Sequence, residues 1–179
     1  MKESVRMIVV LTLVGLLSGG VLVYANNLTA PKIAQVREQN LKAAIYQVLP
    51  DVDSFKQSGE NVYECFDKDG NLTGYALQAA GTGYQGTIKM IVGVDASRQK
   101  MTGILVLEQV ETPGMGAKIA APEFMDQFKG LTTSRNIEYV KNQKPETDYQ
   151  IQAITGATVS SRSVVNIINN EVQGWLKTK

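Results

Sequence analysis

The chain has 179 residues, 44% of them hydrophobic and 20% charged, with a formal net charge of +1, which suits one globular domain plus an appendage and excludes both a disordered chain and one wholly embedded in membrane. It has no histidine and one cysteine, Cys65; this excludes His-based acid–base catalysis, His-ligated metal or haem, an internal disulfide, and an iron–sulfur cluster held by this chain alone. Any redox chemistry therefore needs an organic cofactor, and the near-balanced charge offers no nucleic-acid footprint.

After Lys2, Glu3 and Arg6 the chain carries no charge from Met7 to Pro31. Within that stretch Met7 to Ala25 is apolar, and as a helix it reaches roughly 30 Å, the thickness of a bilayer's hydrocarbon core. Val23-Tyr24-Ala25 would satisfy a small-residue cleavage rule, but the run exceeds the roughly 7–15 residues of a signal-peptide core, so a retained anchor over residues 7–25 is expected. Lys2 and Arg6 on one side and Lys32, Arg37 and Lys42 on the other leave the charge count undecided. The immediate flanks favour a cytoplasmic N-terminus at residues 1–6, because basic residues abut that end while Asn26-Asn27-Leu28-Thr29 follow the other. Tyr24, Asn26 and Asn27 sit where an interfacial belt belongs.

Pro31 is expected to open a second helix, a linker or docking element over residues 26–50, in which Ile33, Val36, Leu41, Ala44, Ile45 and Val48 recur at helical spacing before Pro50. Residues 51–179 read as a single domain. Val62 to Phe66, the turn Asp67-Lys68-Asp69-Gly70-Asn71 and Leu72 to Ala79 form a predicted hairpin; Thr87 to Val94 and Met101 to Leu107 extend it to a four-strand antiparallel meander. Cys65, between Glu64 and Phe66, is expected to pack rather than react, since no second Cys or His is present to activate it. A short helix is predicted from Pro122 to Gly130, then a looser stretch from Thr132 to Gln150. A strand over Ile151 to Ile154 leads through Thr155-Gly156-Ala157-Thr158 into a helix from about Ser160 to Lys177, whose Val164, Ile168, Val172 and Leu176 make one buried face. Trp175 on that helix is expected in the core or at an interface.

Hydroxyls at Thr155, Thr158, Ser160 and Ser161 near a helix start admit two accounts. They can cap orphan backbone N–H groups, or the N–H groups and helix dipole can hold a phosphate, bound noncovalently or as an ester of one hydroxyl. The loop Glu111-Thr112-Pro113-Gly114-Met115-Gly116 and the segment Gly81-Thr82-Gly83-Tyr84-Gln85-Gly86-Thr87-Ile88 are turn-forming on composition alone.

Together these three segments, in this order, resemble the FMN-binding domain family shared by the RnfG and NqrC subunits of bacterial electron-transport complexes. The segment from Thr155 to Ser161 is similar to that family's flavinylation motif, although Gln152 stands where the family often has an acidic residue. The resemblance covers nearly the whole chain and implies an α+β fold: an N-terminal transmembrane helix, then one FMN-binding domain with an antiparallel sheet flanked by helices. It implies FMN joined through its phosphate to Thr158 by a flavin transferase, with Thr155, Gly156, Ala157, Ser161, Glu111, Thr112, Gly114 and Tyr84 as further cofactor-binding residues. Glu111 is as suited to holding its loop as to touching flavin, and Tyr84 to packing beside the isoalloxazine. No metal site and no catalytic residue belonging to this chain alone are expected.

NqrC chains are generally longer, so a compact chain looks more like RnfG. The function so implied is a covalent FMN-carrying subunit of a membrane-bound Rnf-type complex, relaying electrons in ferredoxin:NAD oxidoreduction coupled to ion translocation. The flavin domain would lie on the extracytoplasmic face, with other membrane and peripheral subunits, the flavin transferase and membrane lipid as partners. The alternatives are an NqrC-like subunit of a sodium-pumping NADH:quinone oxidoreductase and a membrane-tethered binding module with an unmodified hydroxyl at Thr158.

Overall fold

A computed structural model describes residues 2–178, in two compact units divided between Asn40 and Leu41. Helix α1 runs from Lys2 to Val48 without a break and contains Pro31. Sequence rules predict a fresh helix start there; instead the helix passes through, since proline's fixed φ is already helical and the cost of the bond it cannot donate and of its ring crowding the carbonyl four residues back is accommodated within a 47-residue helix. In the first unit the hydroxyls of Thr12 and Thr29 donate to the carbonyls of Ile8 and Ala25, each at 2.9 Å, so these polar groups are satisfied within the helix. Leu11, Leu16, Leu17 and Leu22 are exposed there, as lipid-facing side chains must be when no protein covers them.

From sequence the globular domain is expected to begin at residue 51, whereas the packed unit begins at Leu41. Leu41, Ala44, Ile45 and Val48, spaced as one helix face, pack with Leu49, Val52, Tyr63, Cys65, Ala76 and Ile91. This is one face of a five-stranded antiparallel sheet in the order β1-β2-β3-β4-β5: β1 Ser54–Gln57, β2 Val62–Phe66, β3 Leu72–Thr82, β4 Thr87–Asp95 and β5 Met101–Glu108. The expected meander is present with one additional strand, β1. Only Phe55 of that strand is even half-buried, so its sequence carries no alternation to read. Asp67 shapes the β2–β3 turn by accepting the Asn71 and Asp69 N–H groups at 2.8 and 2.9 Å, bonds that hold its carboxyl below the usual carboxylate range, with the Asn71 backbone N–H the foremost cause.

The other sheet face meets the larger core. There Leu77, Ile88, Met90, Val92 and Val94 pack against Val164, Ile168, Val172 and Trp175 of helix α3, Thr158–Lys177. The same layer holds Ile119 from a 3-10 turn over Gly116–Ala120, and Phe124 and Phe128 from helix α2, Pro122–Met125, and the 3-10 turn that continues it. The stretch expected to be loose contains a strand, β6 Glu138–Val140, paired in parallel with β7 Gln150–Gln152. Three half-exposed residues are too few for a period to show. Arg98 lies over the rings of Tyr75 and Trp175 at 4.7 and 5.1 Å, closing the core at the far end of α3.

Two outcomes follow. Ile45→Ala should cost about 2–4 kcal/mol of stability, measured by denaturant unfolding, since Ile45 is fully buried between α1 and the sheet. Burial pushes the Cys65 thiol up to about 11 from 9.0, so the native chain keeps a proton that the unfolded chain releases. Its contribution to stability is therefore complete below about pH 9 and is lost as pH rises through about 11. At pH 8 a soluble disulfide reagent should label native Cys65 at least about 100-fold more slowly than the unfolded chain.

Candidate functional site

Three connecting segments converge where α3 begins. One joins β3 to β4, one follows β5, and the third links β7 to α3. Gly156 takes a left-handed φ of +82°, and Ala157, at φ −132° and ψ 37°, stands in the N-cap position. Thr158 is thus the first helical residue, two positions earlier than periodicity suggests. The first bond within the helix is Ser161 N–H to Ala157 O at 3.0 Å, which leaves the N–H groups of Thr158, Val159 and Ser160 ahead of the ladder.

No side chain caps α3. The ordinary account of a hydroxyl-rich helix start therefore does not hold, because the hydroxyls are used elsewhere. Ser161, fully buried, accepts the Ile154 N–H and donates to Ala157 O, both at 3.0 Å, locking the turn. Ser160, also buried, donates to Glu111 Oε2 at 2.5 Å. Thr155 is exposed, with its hydroxyl 3.5 Å from Asn142 Oδ1. Thr158 alone of the four is half-exposed, with no side-chain hydrogen bond among the described residues.

Glu111 is 4% exposed. Its Oε1 accepts the N–H groups of Tyr84 and Gln85 at 2.8 and 3.1 Å, while Oε2 takes Ser160. A buried carboxylate needs such donors to offset its lost hydration. Glycine is required around it: a Cβ on Gly83 would strike Glu111 Oε1, and one on Gly116 would lie 2.7 Å from Ser160 Oγ and 2.9 Å from Glu111 Oε2.

Above this carboxylate lies an open cleft of about 540 Å³ lined by Tyr84, Thr112, Met115, Gly116 and residues 156–160. Tyr84, Met115 and Val159 expose apolar surface at 66%, 53% and 41%. Of the residues singled out from sequence, Thr158, Gly156, Ala157, Thr112 and Tyr84 come together here. Glu111 sits beneath, and Ser161 is turned into the interior. Gly114 forms the exposed loop tip at φ +74°, and Thr155 lines a neighbouring cleft with Lys118, Gln127 and Gln152. Met115, Gly116, Val159 and Ser160 lie within the recognised motifs, but no sequence signal says that they face the cleft. Gln152, at the position where an acidic residue is common, has its backbone N–H and carbonyl bonded to the Gln127 amide at 2.7 and 3.3 Å.

Three uncommitted amides at the positive end of a 20-residue helix, the half-exposed Thr158 hydroxyl beside them and exposed apolar side chains nearby suit a ligand with a phosphate at one end and an aromatic ring at the other. Among the described residues no group of His, Cys, Asp and Glu could hold a metal ion.

Residues 83–173 match the family model described as FMN-binding domain. Over 182 residues the chain is 29% identical to a Methanosarcina acetivorans protein named as part of an ion-translocating oxidoreductase complex, covering 96% of this chain and 94% of that one. It is 28% identical to an Acetobacterium woodii protein named as part of a Na(+)-translocating ferredoxin:NAD(+) oxidoreductase complex, covering 96% and 91%. Among solved structures, that of Shewanella oneidensis NqrC matches with a TM-score of 0.59 at 20% identity, over 72% of this chain and 73% of that one, a likeness of fold.

The packing around Glu111 generates a stability contrast. Gly116→Ala should cost about 1–3 kcal/mol through overpacking, whereas Gly174→Ala, with nothing within 4 Å of the added carbon, should stabilise α3 by up to about 1 kcal/mol. Thermal melts of the two variants check both signs.

Proposed function

Because this chain belongs to the FMN-binding domain family, we propose that it carries FMN as a phosphoester on Thr158 and serves as the flavin subunit of an Rnf-type ion-translocating ferredoxin:NAD oxidoreductase complex. The observation that carries the site assignment is the start of α3, where Thr158 alone of the four hydroxyls around the helix start is half-exposed and uncommitted while the N–H groups beside it lack a cap. Relatives named for ion-translocating and ferredoxin:NAD(+) oxidoreductase complexes match along nearly the full chain, which favours this complex over the NADH:quinone oxidoreductase of NqrC.

Attachment forms a bond from Thr158 Oγ to the phosphorus of a flavin nucleotide, supplied by a flavin transferase with a phosphate leaving group. The bond from phosphorus to that group breaks, and the hydroxyl proton departs with it. The N–H groups at the start of α3 hold the phosphate charge. Tyr84, Met115 and Val159 offer the ring apolar surface, with Thr112 and the Gly116 backbone at its polar edge. Bound there, FMN supplies reversible electron acceptance and donation, while the chain positions it and limits its freedom. Activity belongs to the assembled complex.

The chain is membrane-anchored. In the proposed arrangement residues 1–6 are cytoplasmic, residues 7–25 cross the lipid, residues 26–50 lead outward, and the domain stands on the extracytoplasmic face among other membrane and peripheral subunits. A covalent tether there keeps the cofactor at high effective concentration and prevents its loss.

The test is the intact mass of the chain produced with its transferase: one FMN less one water should be added to the wild type and not to Thr158→Ala, and the wild-type band should fluoresce under ultraviolet light on a denaturing gel. Wild-type protein that stays dark while the transferase labels a control substrate would defeat the assignment.

A further inference from the structure

We infer that Glu111 and Ser160 form a positioning pair that sets the first turn of α3, and with it Thr158, against the other two walls of the cleft; this rests on the flavin assignment and names the residues that preorganise it. The carboxylate takes its three donors from two walls, the Tyr84–Gln85 backbone and the Ser160 hydroxyl, while its own backbone belongs to the third. Its backbone N–H is in turn held by Gln109 Oε1 at 2.6 Å. These partners are 27, 26 and 49 residues away in the chain, so local folding of any one segment does not place it.

A buried charge is a poor source of net stability, since its desolvation offsets most of what it gains. What it provides is direction: charge-assisted bonds are short and angularly restrictive. Among the described residues Glu111 has no cationic partner, so the whole of its compensation comes from these donors. Gly83 and Gly116 both allow the close approach, since a Cβ on either would collide with the carboxylate. Two glycines, one buried acid and one buried hydroxyl from three separate segments therefore serve a single geometry, and the element they fix is the turn that bears Thr158. Ser160 is two residues beyond Thr158 on that turn, so holding its hydroxyl fixes the rotation of the helix start about its axis.

The two side chains of the pair bond each other rather than the phosphate or the ring in this assignment. It acts through Thr158, and its loss should loosen the flavin without unfolding the chain. The experiment uses the full-length protein in detergent with its transferase, comparing wild type, Ser160→Ala, Ser160→Thr, Glu111→Ala and the Glu111→Ala/Ser160→Ala double variant. Initial attachment rates are read by intact mass, and the motion of the attached ring by time-resolved fluorescence anisotropy.

Loss of one hydrogen bond to a charged group corresponds to about tenfold, so Ser160→Ala should attach FMN about tenfold more slowly and show faster local ring motion, with Ser160→Thr restoring both. In the Glu111→Ala background, removing Ser160 should slow attachment by less than about twofold more, as expected for partners in one bond. Protection of the Tyr84 and Gln85 amides from hydrogen exchange should persist in Ser160→Ala, because Oε1 still accepts from them; this arm remains decisive if Glu111→Ala fails to fold. Wild-type ring motion in Ser160→Ala overturns the inference. So do losses that multiply in the double variant, which would mean that the transferase reads Ser160 directly. A wild-type chain that accepts no flavin overturns the underlying assignment instead, and is recognised by its own arm.

Discussion

The central sheet is buried on both faces, and the rest of the globular unit is arranged by that constraint. Strands β3 and β4 send Leu77, Met90 and Val92 to one side and Ala76 and Ile91 to the other, so each side needs a cover. The end of α1 supplies one and α3 the other. Because α3 lies across the sheet with its Val164, Ile168, Val172 and Trp175 stripe inward, its first turn is delivered beside the β3–β4 connection and the loop after β5. The cleft is a consequence of this packing: it forms where the covering helix starts and where the strands beneath it end.

At that point ordinary helix chemistry is redistributed. Four hydroxyls precede or open α3, and a free-standing helix would use one of them as its cap. Here Ser161 closes the turn back onto Ile154, Ser160 is drawn to a buried carboxylate, and Thr155 lies toward the adjacent cleft. The helix start is left with its donors uncommitted. A terminus in this state favours a bound anion, and an esterified phosphate on Thr158 would meet that need from within the chain.

Much of this was legible in the sequence, and the gaps have physical causes. The spacing of Leu41, Ala44, Ile45 and Val48 marked a buried helical face, and the runs in β2 to β5 marked strands, because burial imposes a period on side chains. β1 and β6 impose none, being four and three residues long with no fully buried residue in either. Pro31 marks no boundary because local rules describe a preference that a long helix can override despite the lost bond and the crowding of the carbonyl four residues back. At the site the motifs identified the right segments but not which side chains face the cleft. The direction of Ser160 depends on a partner 49 residues earlier, and the inward turn of Ser161 depends on where α3 begins, two residues before periodicity places it.

The placement of charge ties the anchor to the site. Across residues 81–86, 110–116 and 155–161 the only ionisable acid or base carrying formal charge is Glu111, and it is buried. These three segments thus present neutral and apolar groups to solvent, with Tyr84, Val110, Met115 and Val159 among the exposed hydrophobic residues. Long-range steering requires net charge around a site and weakens with salt, so a site of this kind gains little from electrostatic encounter. Membrane anchoring changes the problem: two subunits held in one bilayer need not find each other through solution, and the proposed covalent attachment would remove the further need to recruit the cofactor. Charge is then dispensable in these segments except for the one carboxylate that shapes them, since neutral segments would avoid the desolvation that charged ones would bear if a neighbouring subunit packed there.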